Sequence, residues 1–301
     1  MLLPDYNELV ALGRHADPEG WGSRRKVMSE IQGAHVSLFQ GRGLDFSEFR
    51  EYSPGDDVRS IDWRVTARKG RPYTKIFTEE RERAVYIIVD LNSYMQFGTR
   101  NTFKSVQAAR AAALLAWTSH HLNDKTGALL FGQCSEGIKF LPARRSRKSI
   151  WEMLRSLCQP EDIHRRVSLS EALEIADRYL PIGASIFVIS DFVDLGGHFE
   201  KNMGLLSRRR EVSLVKVNDP ADMHMPDAGR IQLSDHQGHK MEVNTSDRRG
   251  LELYQQLWQQ SEMLLEDVAK KFRLKTLRIK TDGNVAEDLS REFRQLKRNS
   301  R

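Results

Sequence analysis

Residues 85–95 read Val-Tyr-Ile-Ile-Val-Asp-Leu-Asn-Ser-Tyr-Met. Five apolar, mostly β-branched or aromatic residues in a row predict a strand covered on both faces, because a strand with one wet face would alternate with polar residues. The run ends in Asp90, and Asn92 and Tyr94 follow at every second position. In open α/β sheets the working groups lie just beyond the carboxyl ends of the strands. Asp90 is therefore the first candidate for chemistry.

Outward from this strand, strands and helices take turns. The spacing predicts a helix over 105–123, a strand over 127–131, and helices over 146–157 and 168–179. A second buried strand, Ser185 to Ser190, ends at Asp191, and a third covers 211–217. Between Asp219 and Asn244 the pattern loosens into short polar strands or loops. Leu251, Tyr254, Trp258, Ser261, Leu265 and Val268 then mark a long amphipathic helix, followed by a strand over 275–279 and a final helix. Alternation of this kind means an α/β domain over 79–301, with a mostly parallel sheet and helices on both faces.

Residues 1–78 differ and are expected to form a β-rich extension. Ile61 to Arg68 alternates apolar and charged residues with period two, Lys69-Gly70-Arg71-Pro72 is turn-like, and Tyr73 to Phe77 returns, which predicts a β-hairpin with one wet face.

Composition narrows the function. No apolar run approaches the roughly 18 residues of a membrane span, and the first twenty residues carry no secretory pattern. Cys134 and Cys158 are too few for a disulfide framework or a zinc site. The cytoplasm is the expected compartment. A net charge of +6 suggests nucleic acid, but 291–301 holds five basic residues and one acid, so +4 of that charge lies in the tail. The other basic runs, Arg144 to Lys148 and Arg208 to Arg210, are not interleaved with the aromatics of a base-stacking platform.

Several enzyme classes are also excluded. The chain has no phosphate-cradling G-x-x-x-x-G-K-[ST] loop and no G-x-S-x-G elbow. His120 and His121 are adjacent and point apart on a helix, while His224, His236 and His239 lack ligand spacing. An aspartyl phosphotransferase would want a second acid where Asn92 stands. Magnesium is the candidate cofactor, because it takes oxygen ligands and is satisfied by one or two carboxylates. Asp90 and Asp191 at neighbouring strand ends, with Asn92, are its candidate ligands.

The strand–Asp-x-Asn-x-Tyr pattern, with a later strand ending Ile189-Ser190-Asp191-Phe192, resembles the von Willebrand factor A fold. The stretch from Gly43 through Tyr52-Ser53-Pro54-Gly55-Asp56-Asp57 and Ile61-Asp62-Trp63-Arg64 to Arg68 resembles the signature of the bacterial "domain of unknown function 58" family. The first resemblance implies a metal-ion-dependent adhesion site reading D-x-S-x-S, then a threonine, then an aspartate. Asp90 and Asp191 match the first and last of these ligands. Asn92 and Tyr94 replace the serines, and Val167 stands for the threonine with Ser168 and Ser170 beside it, so the site is degenerate.

In the signature, Asp56, Asp57 and Asp62 alternate with Arg50, Arg59, Arg64 and Arg68 around Tyr52 and Trp63, with Gly55 at a turn. Arginine forks pair carboxylates two at a time, so a cross-braced network is expected here. It would either receive a partner or clamp the extension. The resemblance implies a non-enzymatic adaptor or co-chaperone working with a MoxR-type AAA+ ATPase, and with other von Willebrand factor A-domain proteins, in maturing or assembling other proteins. The competing readings are a magnesium-dependent hydrolase or phosphotransferase using Asp90 and Asp191, and a basic nucleic-acid-binding protein.

Overall fold

A computed structural model describes residues 3–16, 44–54, 56–79, 84–132, 134, 136–159, 167–193, 195, 197–234 and 240–298. These residues form two compact units, one of residues 44–79 and one of residues 3–16 and 84–298.

The larger unit opens with α1 (Tyr6–Ala11), whose N-cap Asp5 accepts from the Glu8 amide. In the smaller unit, β1 (Leu44–Glu51) runs into a short turn region and α2 (Trp63–Lys69), and then β2 (Tyr73–Glu79) pairs antiparallel with β1. The hairpin expected over 61–77 is thus corrected. Its first arm is a helix, and the partner of β2 lies about twenty-five residues earlier in the chain. Both ends of α2 explain the outcome. Asp62 accepts hydrogen bonds from the amides of Arg64 at 2.9 Å and Val65 at 3.1 Å, and Gly70 closes the helix at φ +71°. Over fewer than two turns, good caps outweigh a period-two pattern.

The larger unit resumes with β3 (Ala84–Asp90), α3 (Lys104–His121), β4 (Lys125–Phe131), β5 (Ile138–Arg144), α4 (Arg147–Cys158) and α5 (Leu169–Tyr179). It continues through β6 (Ser185–Ser190), α6 (Phe199–Ser207), β7 (Glu211–Asn218) and the short α7 (Pro220–Met223). The hairpin β8 (Arg230–Ser234) and β9 (Lys240–Asn244) follows, then α8 (Arg248–Lys271), β10 (Lys275–Lys280) and α9 (Val285–Arg298). Six strands make one sheet in the order β10-β7-β6-β3-β4-β5, parallel throughout except for β5 at the edge. The expected α/β architecture is therefore present. Edge strand β5 was not anticipated, since Lys139, Pro142 and Arg144 break its apolar pattern, as edge strands do to discourage further pairing.

The period of β3 sorts the core. Val85, Ile87 and Val89 join one apolar cluster with Leu9, the alanine-rich α3, Leu154 of α4 and Phe293 of α9. Tyr86 and Ile88 point the other way, into a cluster with Leu173, Met203 and Leu265 of α5, α6 and α8. This is the two-faced burial that a continuous apolar strand requires. After β4 and β5 the chain crosses back to place β6 on the other flank of β3. The topological switch point is thus between β3 and β6, and it is where Asp90 and Asp191 stand.

The start of the chain departs from the expected 1–78 extension, because α1 packs in the α/β unit. Leu9 is fully buried, its carbonyl accepts from the Trp117 indole at 3.2 Å, and Glu8 pairs with Arg110 at 2.7 Å. Leu9→Ala is expected to destabilise the α/β unit by about 2–4 kcal/mol, the usual cost of emptying a buried leucine site. Urea unfolding followed by far-UV circular dichroism reads this out; a change near zero would show that α1 is not part of the core.

Candidate functional site

Asp90 is fully buried at the end of β3. Register pairs Val89 with Ile189, which sets Ser190 beside Asp90. The Ser190 hydroxyl donates to Asp90 Oδ2 at 2.7 Å, and the Tyr94 hydroxyl donates to the same oxygen at 2.6 Å. Oδ1 accepts from the Asn92 amide at 3.0 Å and from Asn92 Nδ2 at 2.9 Å. Asn92 Nδ2 also donates to the Val167 carbonyl at 3.2 Å. Burial pushes the Asp90 carboxyl up to about 6, against the pull of these donors. Burial and the neighbouring Asp90 charge raise the Tyr94 phenol as well, so it stays protonated and remains a donor. Gly132, at φ +107°, makes room for this loop: a Cβ there would lie 2.4 Å from the Asn92 nitrogen.

Asp191 is engaged differently. It is 3% exposed, and its Oδ2 accepts from Lys104 Nζ at 3.1 Å. The same ammonium donates to Asp222 Oδ1 at 2.9 Å, so a lysine bridges two acids inside the protein. Burial pulls the Lys104 pKa down, but the two carboxylates outweigh it and the net shift is upward. The lysine therefore stays charged. Burial raises the Asp222 carboxyl, with Lys104 opposing. Asp222 Oδ2 in turn accepts from the Asp219 amide at 2.7 Å, which closes a capping box on α7. Asp219 anchors the neighbouring loops, accepting from the Thr99 hydroxyl at 2.6 Å and the Thr281 hydroxyl at 2.5 Å. Phe192, directly after Asp191, is buried with φ +53°. A bulky residue in that region is strained and persists only where its surroundings hold it. Here the Phe192 amide donates to Ser190 Oγ and the Val193 amide to Asp191 Oδ1, both at 3.2 Å.

These residues do not fit magnesium. Such an ion needs open oxygens and keeps several waters. Both Asp90 oxygens are occupied by protein donors, Asn92 turns its nitrogen toward Asp90, and the Asp191 oxygens hold an ammonium and an amide. The positions beside Val167 are committed too, since Ser168 caps α5 and Ser170 accepts from Asn202. Among the described residues no group of three or more His, Cys, Asp or Glu is arranged to hold a metal. The structure thus brings Asp90, Asn92, Tyr94 and Ser190 into one cluster and Asp191 into another with Lys104 and Asp222.

Sequence reasoning missed Lys104, Ser190, Asp219 and Asp222. Asp219 and Asp222 carried a usable signal, because Asn218-Asp219-Pro220 ends a third buried strand at a helix start. Lys104 stands out only as a cation opening a helix that is otherwise nearly all buried.

The signature residues lie in the smaller unit. Arg50 pairs with Asp56 at 2.6 Å, and the Ser53 amide donates to Asp56 at 2.9 Å. Asp57 and Asp62 instead serve as N-caps, accepting backbone amides from Arg59 and from Arg64 and Val65. The Tyr52 amide donates to the Pro72 carbonyl at 2.8 Å. Among the described residues, the arginine–carboxylate pairs of this unit include Arg50–Asp56 and, at 3.2 Å, Arg71–Glu51. Trp63 is 68% exposed, and Arg59 and Arg68 are exposed. Gly55, His236 and His239 lie outside the described residues.

Comparison with known proteins matches residues 48–263 to the family described as "Protein of unknown function DUF58". Uncharacterized proteins of Mycobacterium tuberculosis and Mycobacterium bovis are 31% identical over 215 residues, which is 70% of this chain and 67% of theirs. Among solved structures, the conserved hypothetical protein BatB from Bacteroides thetaiotaomicron is similar with a TM-score of 0.46 and 19% identity, covering 72% of this chain and 99% of that one. A von Willebrand factor type A protein from Catenulispora acidiphila has a TM-score of 0.40 and 11% identity, over 73% of this chain and 44% of that one.

Two outcomes test the site's electrostatics. Lys104→Met leaves two buried carboxylates without a counter-charge and is expected to cost about 3–5 kcal/mol. Adding Asp191→Asn and Asp222→Asn to that variant should recover part of the loss; equal melting temperatures for the single and triple variants would refute the bridge. For Asp90, a carboxyl at about 6 in the fold against an ordinary 3.8 makes the neutral form the better-tolerated one. Its contribution is therefore full below pH 3.8 and is lost as pH rises through 6. Relative to Asp90→Asn, the wild type should lose on the order of 2–3 kcal/mol between pH 4 and 6.5, measured by denaturant unfolding at each pH. A constant difference across that window would contradict the assignment.

Proposed function

The chain belongs to the DUF58 family, and on that premise we propose that it is a non-enzymatic protein-interaction module of the cytoplasm. It works as an adaptor or co-chaperone beside a MoxR-type AAA+ ATPase in the maturation or assembly of other proteins. The observation that carries the non-catalytic part is the Lys104 bridge between Asp191 and Asp222. At the switch point of an α/β sheet, a hydrolase or phosphotransferase needs an acid free to bind a metal, attack, or exchange a proton. Here those acids are spent on an internal cation and on hydroxyl and amide donors.

The interaction part is supported by the rim above them. Tyr94, Val193 and Met223, in the segments that follow β3, β6 and β7, are 39%, 56% and 39% exposed. Exposed apolar surface next to strand ends whose acids are already paired is suited to contact rather than to turnover. No described helix is long and apolar enough to cross a membrane. The identity of the ATPase partner rests on the family resemblance.

Binding of the purified chain to a MoxR-type ATPase from the same organism, followed by surface plasmon resonance, is expected to saturate. Val193→Asp with Met223→Asp should weaken it by about tenfold or more. Absence of binding in every nucleotide state of the ATPase would remove the partner from the proposal. Magnesium and manganese calorimetry on the wild type is expected to show no saturable heat. Saturable binding that Asp90→Ala with Asp191→Ala abolishes would restore the metal-dependent reading.

A further inference from the structure

Helix α8 reads Leu-Tyr-Gln-Gln-Leu-Trp-Gln-Gln-Ser-Glu-Met-Leu from Leu253 to Leu264. Its one charge in that stretch, Glu262, is buried and paired with Lys216 of β7 and with Arg278 of β10. More than three helical turns therefore present no charge to water, in a chain that is 29% charged. The first half of the helix is also lightly covered, since no residue of 248–260 is buried. Tyr254 ties it down through its hydroxyl, which donates to the Ala221 carbonyl at 3.1 Å. Leu265 and Val268 anchor the second half in the core.

Along the open side, Leu253, Leu257, Gln260 and Leu264 follow one another at intervals of four, three and four residues. That is the spacing of a two-helix seam, in which each side chain enters a gap on a facing helix. The three leucines are 58%, 57% and 48% exposed, and Met263 beside them is 57% exposed. Placing leucines in water at this spacing, with glutamines in place of charges between them, matches the core of an interface, which is depleted of charge.

Charge and symmetry select the occupant. Two copies of a chain with net charge +6 repel on the whole, although +4 of that charge lies in the tail over 291–301, and a face without exposed charge adds nothing to that repulsion. A face without exposed charge also offers nothing to steer or orient a foreign partner. Gln260 is self-complementary, because its amide both donates and accepts and can pair with the same residue across a two-fold axis. A polar residue within an apolar seam is a device for setting register. We propose that this face of α8 packs against the same face of a second copy, forming a homodimer through a short two-helix seam.

Sedimentation velocity on the full chain over about 1–200 µM tests it. A seam of three turns is a small interface, and a dissociation constant on the order of 10 µM is expected. Leu257→Glu with Leu264→Glu should weaken association by about tenfold or more, and Gln260→Lys should do the same by placing like charges face to face. All three positions are exposed, so far-UV circular dichroism and the melting temperature are expected to match the wild type, confirming that the variants fold. A chain that stays monomeric across the range, including one that binds only a helix of another protein, overturns the proposal. So does a dimer that these folded variants leave unchanged.

Discussion

A single ammonium group organises the upper edge of the sheet. Lys104 opens α3, Asp191 ends β6 and Asp222 belongs to the short helix after β7, and three segments far apart in the chain meet at one nitrogen. In a low-dielectric interior neither the cation nor the two acids would be tolerated alone. The ammonium offsets part of the two acids' charge and ties the ends of β6 and β7 to the start of α3. Phe192 can then be held in its left-handed conformation, and Asp219 can draw the loops at Thr99 and Thr281 onto the same edge.

The sheet was legible in the sequence because burial writes it directly. Val85 to Val89 and Ser185 to Ser190 are apolar runs with no alternation, and such runs belong in the middle of a covered sheet, where both are found. The helices were legible through their apolar stripes, and the structure adds that Ser146 and Ser168, the first residues of two of the expected ranges, cap α4 and α5. What failed to show was local competition and distant pairing. Ile61 to Arg68 has a strand's periodicity, yet Asp62 and Gly70 close a helix over it. No pattern within the stretch reports that β2 would find its partner in β1 instead.

The candidate site was half legible for a related reason. Asp90 and Asp191 announce themselves by position, at the ends of buried strands. What they do there depends on partners remote in sequence: Lys104 lies 87 residues from Asp191 and 118 from Asp222, and Ser190 lies 100 residues from Asp90. Spacing rules work for ligands on one helix or one loop, and they are silent about a cation delivered by packing. The same limit applies to the signature stretch. Its alternation of acids and arginines suggested a network of forks, but Asp57 and Asp62 accept backbone amides two or three residues away. Short-range hydrogen bonds of this kind form before any long-range ion pair is available, and they cost little chain entropy.

A saturated floor changes what the surrounding surface can be used for. An open acid at a switch point binds whatever completes its coordination, so a partner would be chosen by the charge it brings. With Asp90 holding hydroxyls and amides, and Asp191 holding a lysine, nothing on that floor selects for an ion or a carboxylate. Tyr94, Val193 and Met223, the exposed side chains that follow β3, β6 and β7, sit on segments tied down by these buried polar groups. Apolar recognition is weakly directional and tolerates imprecise partners unless its anchors are rigid. The buried hydrogen bonds and ion pairs fix the segments that carry these side chains, which gives a physical reason to retain costly buried charges at the strand ends.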